Sequence, residues 1–101
     1  MNAVISRFAP SPTGRLHLGH AWSAVQAYDA ARARGGRFYL RIEDIDITRC
    51  RAEFIDAIFE DMAWLGLDYD GDVLIQSQRL PQYRAALARL EAMRLIYRCT
   101  C

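Results

Sequence analysis

The chain has 101 residues, which is enough for one small domain with a single hydrophobic core. Hydrophobic residues make up 52% of it and charged residues 25%, a composition that excludes the disordered and fibrous classes of protein. The formal net charge of +1 excludes a broad electrostatic attraction to nucleic acid or anionic membranes, so a nucleic-acid partner must be held by placed residues or by parts outside this chain.

The amino-terminal part of the sequence predicts a strand, a helix and a second strand. Residues 3–8 alternate loosely between apolar and polar side chains, as in a short buried strand, and two prolines at 10 and 12 interrupt regular structure after it. Apolar residues then fall at helical spacing over 16–34, until two glycines stop the helix. The apolar run 38–42 predicts the second strand. Together these elements predict a βαβ unit with parallel strands and a right-handed crossover, so the fold class is α/β.

A second helix is predicted over 54–65, where apolar residues trace one helical face and Gly66 follows the last of them. The polar residues Asp44, Asp46 and Thr48 precede it, and one of them is expected to cap it. Both tryptophans of the chain stand at helical positions and are expected to belong to the core, at Trp22 and Trp64.

The last third of the chain predicts a brief extended segment and a third helix. The extended segment covers 73–75 and follows a turn-rich linker. The helix is predicted to begin near Leu80 or Pro81, since proline is tolerated in a first turn, and the tail from 95 to 101 is expected to be extended. The inward face of this helix is expected to carry Tyr83, Leu87 and Leu90.

Two histidines lie where the first predicted strand passes into the first predicted helix. His17 and His20 are three residues apart and share one helical face, so both rings can donate to phosphate oxygens. Gly14 and Gly19 allow close approach of a ligand, and helix N-terminal amides at such a junction favour a nucleotide phosphate. The alternative is that the histidines are surface or capping residues. A metal site is disfavoured because neither histidine has an acidic neighbour in the helix.

Carboxylates follow the second predicted strand, in the sequence Arg41-Ile-Glu43-Asp44-Ile-Asp46. Because adjacent parallel strands end side by side, we expect Arg7, Arg41 and Glu43 to line one crevice with the histidines. The planar fork of Arg7 suits a carboxylate and Glu43 can accept from an ammonium group, which together describe an amino-acid site. For Asp44 and Asp46 the alternatives are a solvated charge run, a helix cap or attraction of a divalent cation, although the spacing of an EF-hand is absent.

The three cysteines, at positions 50, 99 and 101, are an odd number and do not suggest a disulfide framework. Cys99 and Cys101 can provide half of a tetrahedral zinc site, with the other ligands outside this chain; the alternative is a pair of free thiols. Cys50 is expected to be a lone thiol. The sequence has no apolar stretch near the ~20 residues that span a bilayer and no signal-peptide pattern, so we expect a cytoplasmic protein.

In this order the motifs resemble the amino-terminal half of the catalytic domain of class I aminoacyl-tRNA synthetases of the glutamyl type. Residues 17–20, His-Leu-Gly-His, resemble the HIGH signature of that family. Residues 7–11, Arg-Phe-Ala-Pro-Ser, and residues 41–46 resemble its two amino-acid-binding segments. The resemblance covers essentially the whole chain and implies a Rossmann-like, doubly wound sheet.

The resemblance implies ATP and L-glutamate as substrates, Mg²⁺ and Zn²⁺ as metal ions, and a tRNA as acceptor. It implies catalytic roles for His17 and His20, which would stabilise charge on the phosphates. The residues it implies for L-glutamate are Arg7, Phe8, Ala9, Pro10, Ser11 and Glu43. The residues it implies for ATP are Pro10, Ser11, Pro12, Thr13, Gly14, His17, Leu18, Gly19 and His20. The metal ligands it implies are Cys99 and Cys101.

Two features of the sequence bear on which tRNA the protein would charge, and they favour different branches of the family. Residues 70–79 and the ending 97–101 resemble the short members, which attach glutamate to queuosine in the anticodon of tRNA(Asp). His20 completes the HIGH signature where those members often have a small residue, which favours ordinary charging of tRNA(Glu). A catalytically silent module that binds zinc or a nucleotide is a further alternative.

The resemblance also implies that this chain is part of a longer protein. All 13 basic side chains are arginines, so no lysine is present to supply the family's second signature, the KMSKS loop. Residues 1–101 are therefore expected to be the amino-terminal part of one nucleotide-binding catalytic domain. The KMSKS-type loop and the other zinc ligands are expected in a carboxyl-terminal remainder. We expect the chain to be inactive and poorly folded by itself, since its sheet edge is unpaired, and the whole protein to be a monomer.

Overall fold

A computed structural model describes residues 3–101 and shows a three-stranded parallel sheet with helices. The sheet order is β1-β2-β3, and both neighbouring pairs are parallel. The predicted α/β class and βαβ unit are therefore confirmed. In chain order the elements are β1 (Ile5–Phe8), α1 (Leu18–Arg32), β2 (Arg37–Ile42), α2 (Ala52–Leu65), β3 (Leu74–Ile75), a single 3₁₀ turn (Gln76–Arg79) and α3 (Leu80–Ala92).

The core lies on one face of the sheet, beneath α1 and α2. Alternate residues of β2, namely Phe38, Leu40 and Ile42, are fully buried and face this core, as the two-residue period of a strand requires. Helix α1 contributes the buried residues Ala24 and Ala31 to it, so that helix and sheet approach closely. Helix α2 adds Ile58 and Met62.

Two glycines fix the ends of the helices as the sequence predicted. The amide of Gly36 donates to the Ala31 carbonyl, and a Cβ at this position would overlap the carbonyl oxygen of Val4. Only glycine therefore allows β1, α1 and β2 to meet this closely. Gly66 follows α2 with φ of 74°, a left-handed conformation that ends the helix.

A polar cluster ties the linker after α2 to the amino-terminal end of β2. Asp70 Oδ2 accepts from the Phe38 amide at 2.8 Å and from Arg32 Nη1 at 2.8 Å. The Tyr28 hydroxyl donates to Asp68 at 2.6 Å. The backbone amide and the guanidinium lower the pKa of Asp70, so this carboxylate is ionised and holds helix, strand and linker together.

Three expectations about packing and capping are wrong. Trp22 and Trp64 are 65% and 85% exposed. On the face of α3 expected to point inward, Leu87 and Leu90 are 53% and 37% exposed and Tyr83 is half-buried. Helical spacing identifies an apolar face, but here no other part of residues 3–101 covers these faces. The residue that caps α2 is Arg51, through its backbone alone, instead of Asp44, Asp46 or Thr48.

The segment predicted only as extended is a third strand. Leu74 and Ile75 pair in parallel with Arg41 and Ile42, which places the following turn beside the carboxyl end of β2. In the described part of the chain, no helix combines the length and apolar character needed to cross a membrane.

Candidate functional site

The loops that follow β1 and β2 meet at the carboxyl edge of the sheet. The Glu43 amide donates to the Pro10 carbonyl at 3.0 Å, and the Arg51 amide donates to the Pro12 carbonyl at 3.2 Å. Pro12 is fully buried, so it anchors the first loop in the protein. The crevice expected from parallel topology is thus built by direct hydrogen bonds between the two loops.

A cavity of about 400 Å³ opens between the first loop and the amino-terminal turns of α1. It brings together eight of the residues predicted to bind glutamate or ATP. Arg15 and Ser23 also line it and were not predicted. Ser23 could have been predicted from the sequence, because it is three residues after His20 and so lies on the same helical face. The eight predicted residues are Arg7, Phe8, Ala9, Pro10, Ser11, Thr13, Gly14 and His20.

The two histidines form a stacked pair at the start of α1. Their ring centroids lie 3.8 Å apart with an interplanar angle of 28°. His17 Nδ1 accepts from the Gly19 amide at 3.0 Å, and His20 Nδ1 accepts from the His17 amide at 3.0 Å. Both Nδ1 atoms are therefore acceptors, so each neutral ring carries its proton on Nε2.

With this hydrogen-bonding pattern the histidines can act both as capping residues and as donors to a phosphate. The pair caps α1 with its Nδ1 atoms, which satisfies backbone amides that a helix leaves free. Each Nε2–H group is left to donate to another acceptor, and the rings lie at the positive end of a helix dipole. Burial, followed by the nearby charge of His17, lowers the pKa of His20 and favours the neutral ring.

The glycines of this segment have separate roles. A Cβ at Gly19 would come within 2.9 Å of the His17 ring, so a larger residue would displace the ring from its capping position. A Cβ at Gly14 would meet nothing within 4 Å. Gly14 therefore borders open space on the cavity, where a ligand can approach its backbone.

Glu43 is held by the strand that precedes it. Arg41 Nε and Nη2 donate to Glu43 Oε1 at 3.1 and 2.7 Å, and both side chains are about one-third exposed, at 33% and 31%. Arg41 and Arg7 line a second cavity of about 340 Å³ on the open face of the sheet. Arg7 therefore borders both cavities. Glu43 is not among the residues that line either cavity, and it is linked to the second one through its contact with Arg41.

The acidic residues after Glu43 fix the backbone. Asp44 accepts from the Ser77 amide at 2.8 Å and from the Ser77 hydroxyl at 2.6 Å. Asp46 accepts from the amide and hydroxyl of Thr48, and from Arg49, which together lower its pKa to about 2. Both carboxylates thus accept hydrogen bonds from protein groups and fix the turns at Thr48 and Ser77, and neither of them caps α2.

Other predicted residues lie away from the main cavity. His17 lines a smaller apolar cavity beside α2, and Leu18 and Gly19 line an apolar groove of about 520 Å³. Cys99 and Cys101 are exposed in the tail with sulfur atoms 2.6 Å apart, and their hydrogen bond lowers the pKa of the Cys99 thiol. Within residues 3–101, no three histidine, cysteine or acidic side chains group together to hold a metal ion.

Comparison with known proteins gives consistent matches. Residues 3–101 match the model of the family "tRNA synthetases class I (E and Q), catalytic domain". A glutamyl-Q tRNA(Asp) synthetase from Rhodobacter capsulatus is 58% identical over 98 residues, which cover 97% of this chain and 35% of that protein. A glutamate–tRNA ligase from Oleidesulfovibrio alaskensis is 50% identical over 101 residues, or 100% of this chain and 22% of that protein.

The fold has a close counterpart among solved structures. The crystal structure of a glutamate tRNA ligase from Elizabethkingia meningosepticum, in complex with its amino acid, superposes with a TM-score of 0.85 at 35% sequence identity. The match covers 90% of this chain and 20% of that one. The chain thus spans about a third or less of the length of these relatives.

Proposed function

Because the chain belongs to the class I tRNA synthetases for glutamate and glutamine, within their catalytic domain, we propose that it is the amino-terminal part of an enzyme that activates L-glutamate with ATP. The observation that carries the proposal is one cavity lined by both Arg7 and His20. The guanidinium of Arg7 suits a carboxylate and the imidazole of His20 suits a phosphate, and both residues line the same cavity.

In the first step, an oxygen of the α-carboxylate of glutamate attacks the α-phosphorus of ATP. The new oxygen–phosphorus bond gives glutamyl-adenylate, and the bond to the bridging oxygen breaks to release pyrophosphate. The Nε2–H groups of His17 and His20 donate to phosphate oxygens as negative charge develops on them. The attacking carboxylate is already ionised at neutral pH, so this step needs no general base.

Recognition of glutamate uses groups from both loops. Arg7 offers its planar fork to a carboxylate of the substrate, and Glu43 accepts from the α-ammonium group. Among residues 3–101, Arg7 takes part in no salt bridge, so its charge is available to a ligand. Phe8, Ala9, Pro10 and Ser11 complete the glutamate side through the first loop.

For the second step we propose transfer of glutamate to queuosine in the anticodon of tRNA(Asp). Support comes from the 58% identity to the glutamyl-Q tRNA(Asp) synthetase, against 50% to the glutamate–tRNA ligase. Transfer to tRNA(Glu) is the second candidate, favoured by the complete His17–His20 pair. Either acceptor is consistent with a monomeric cytoplasmic enzyme whose main tRNA contacts lie outside this chain of net charge +1.

Metal ions enter this proposal in two places. The thiols of Cys99 and Cys101 are exposed and close to one another, so they would supply two of the four ligands of a structural zinc site once the sulfur atoms separate to tetrahedral spacing, with the other ligands from elsewhere in the protein. Such a zinc ion would fix the tail of this chain to the segment that supplies them. Mg²⁺ bound to ATP would neutralise charge on the departing pyrophosphate.

The test is glutamate-dependent exchange of labelled pyrophosphate into ATP by the full-length protein, with and without tRNA. Exchange that depends on L-glutamate and not on L-glutamine or L-aspartate is expected. No exchange under either condition would reject the activation step and leave a silent binding module. Charging of queuosine-containing tRNA(Asp) is then compared with charging of tRNA(Glu), and labelling of tRNA(Glu) alone would reject the queuosine acceptor.

A further inference from the structure

Arg41 donates to one carboxylate oxygen of Glu43, and within residues 3–101 no hydrogen bond reaches the other. Its Nε and Nη2 both donate to Oε1, at 3.1 and 2.7 Å. Glu43 directly follows β2, and residues two apart in extended backbone point to the same face, so the two side chains can meet. The side chains are one-third exposed, so the ion pair is partly shielded from water and retains directional strength.

The backbone of Glu43 is fixed on both sides. Its own amide donates to the Pro10 carbonyl at 3.0 Å. The next residue, Asp44, accepts two hydrogen bonds from Ser77, which lies beyond β3. The side-chain torsions are therefore the remaining freedom of Glu43, and Arg41 is the group that restricts them.

The orientation of Glu43 has a consequence for binding. An ammonium group needs a carboxylate oxygen with free lone pairs in a fixed position. A free carboxylate would spread its oxygens over several rotamers, and ordering it would cost entropy at the moment of binding. Arg41 also lines the open-face cavity together with Arg7, so both arginines border one space.

We propose that Arg41 is a positioning residue for amino-acid recognition: it holds Oε1 of Glu43 so that Oε2 is presented to the α-ammonium group of the substrate. This inference rests on the proposed function. It assigns Arg41 the role of orienting Glu43, to which the guanidinium edge formed by Nε and Nη2 donates, and no contact of its own with the substrate.

The test is a double-mutant cycle in the full-length protein, followed by glutamate-dependent pyrophosphate exchange. The variants are Arg41→Met, Glu43→Gln and the double variant. Arg41→Lys, which keeps the charge with a single donor group, serves as the conservative variant. Arg37→Met is the matched control, since Arg37 is an exposed arginine of the same strand with no salt bridge among the described residues.

We expect Arg41→Met to raise the KM for glutamate about tenfold, a change of about 1.4 kcal/mol, with kcat and the KM for ATP nearly unchanged. Arg41→Lys should recover part of this loss, and Arg37→Met should behave as the unmodified protein. In the Glu43→Gln background, adding Arg41→Met should change the KM less than twofold, because the group that Arg41 positions is already altered.

Two results would overturn the inference while leaving the proposed function intact. One is an unchanged KM for glutamate in Arg41→Met. The other is an equal tenfold loss with and without Glu43→Gln, which would mean that Arg41 binds the substrate itself. A lack of exchange in the unmodified protein is a different result, since it would overturn the proposed function and this inference together.

Discussion

The structure separates two roles of His17 that a single alanine substitution would confuse. Its Nδ1 caps α1 by accepting from the Gly19 amide at 3.0 Å, and its Nε2–H is left for a phosphate. Asparagine is a strong N-cap residue whose side-chain oxygen can replace Nδ1, but it has no group at the position of Nε2. His17→Asn should therefore keep the cap and lose the donor, whereas His17→Ala should lose both.

The two roles have different expected magnitudes. Loss of an N-cap costs about 1 kcal/mol of unfolding free energy, which His17→Ala should show in denaturant unfolding and His17→Asn should not. Loss of a donor that acts on developing charge costs roughly 10²–10³ in rate. Both variants should therefore lose kcat in pyrophosphate exchange by this amount, with the KM for glutamate changed less than threefold.

Unfolding curves and exchange kinetics measured on the same preparations decide between the roles. Recovery of full activity in His17→Asn would refute the reasoning, because capping alone would then explain the need for this residue. Equal stability of both variants would show that the Gly19 amide does not depend on His17. A parallel rise in the KM for glutamate would indicate a role in shaping the amino-acid site.

Two further predictions concern Asp70, in the polar cluster at the start of β2, and the two cysteines of the tail. Asp70→Asn should lower the unfolding midpoint of the full-length protein at pH 7, because the Phe38 amide and Arg32 lose an ionised partner. The pKa of Asp70 is lowered in the folded state, so the stability that its charge adds is complete above about pH 4 and is lost as the pH falls through that lowered pKa. In denaturant unfolding, the difference in unfolding free energy between the unmodified protein and Asp70→Asn should therefore be smaller at pH 3 than at pH 7. The double variant Cys99→Ser/Cys101→Ser should reduce the zinc content of the purified protein, measured by elemental analysis, whereas Cys50→Ser should leave it unchanged.

Much of the fold was predictable because local signals agree with the tertiary structure. Gly36 and Gly66 end the helices where the sequence places them, and the prolines after β1 interrupt the chain as expected. The extended segment over 73–75 was predicted, but its pairing with β2 was not, because two residues are too few to show a period that would identify a sheet strand. Trp64 was misplaced for a different reason: helical spacing identifies an apolar face but not the element that covers it.

The candidate site was predictable only in part, and the reason is sequence separation. That both loops meet at one edge follows from parallel topology, and the contact between Arg41 and Glu43 was available from strand alternation. The pairing of Asp44 with Ser77 joins residues 33 apart and has no local signal. That both histidines accept backbone hydrogen bonds through Nδ1 could not be predicted either, because it depends on the orientation of the rings and not on their spacing.

The segment 70–77 shows how a motif without its own chemistry can serve a site. Its first residue, Asp70, holds the amide at the start of β2, and its last, Ser77, holds Asp44 just after the end of that strand. Between these points Leu74 and Ile75 pair with the last two residues of β2. The strand that ends next to Glu43 is thereby fixed at both ends and along its edge. Substitutions of Asp70 or Ser77, neither of which lines the cavity beside the histidines or the open-face cavity, should therefore act on glutamate binding through the position of Glu43.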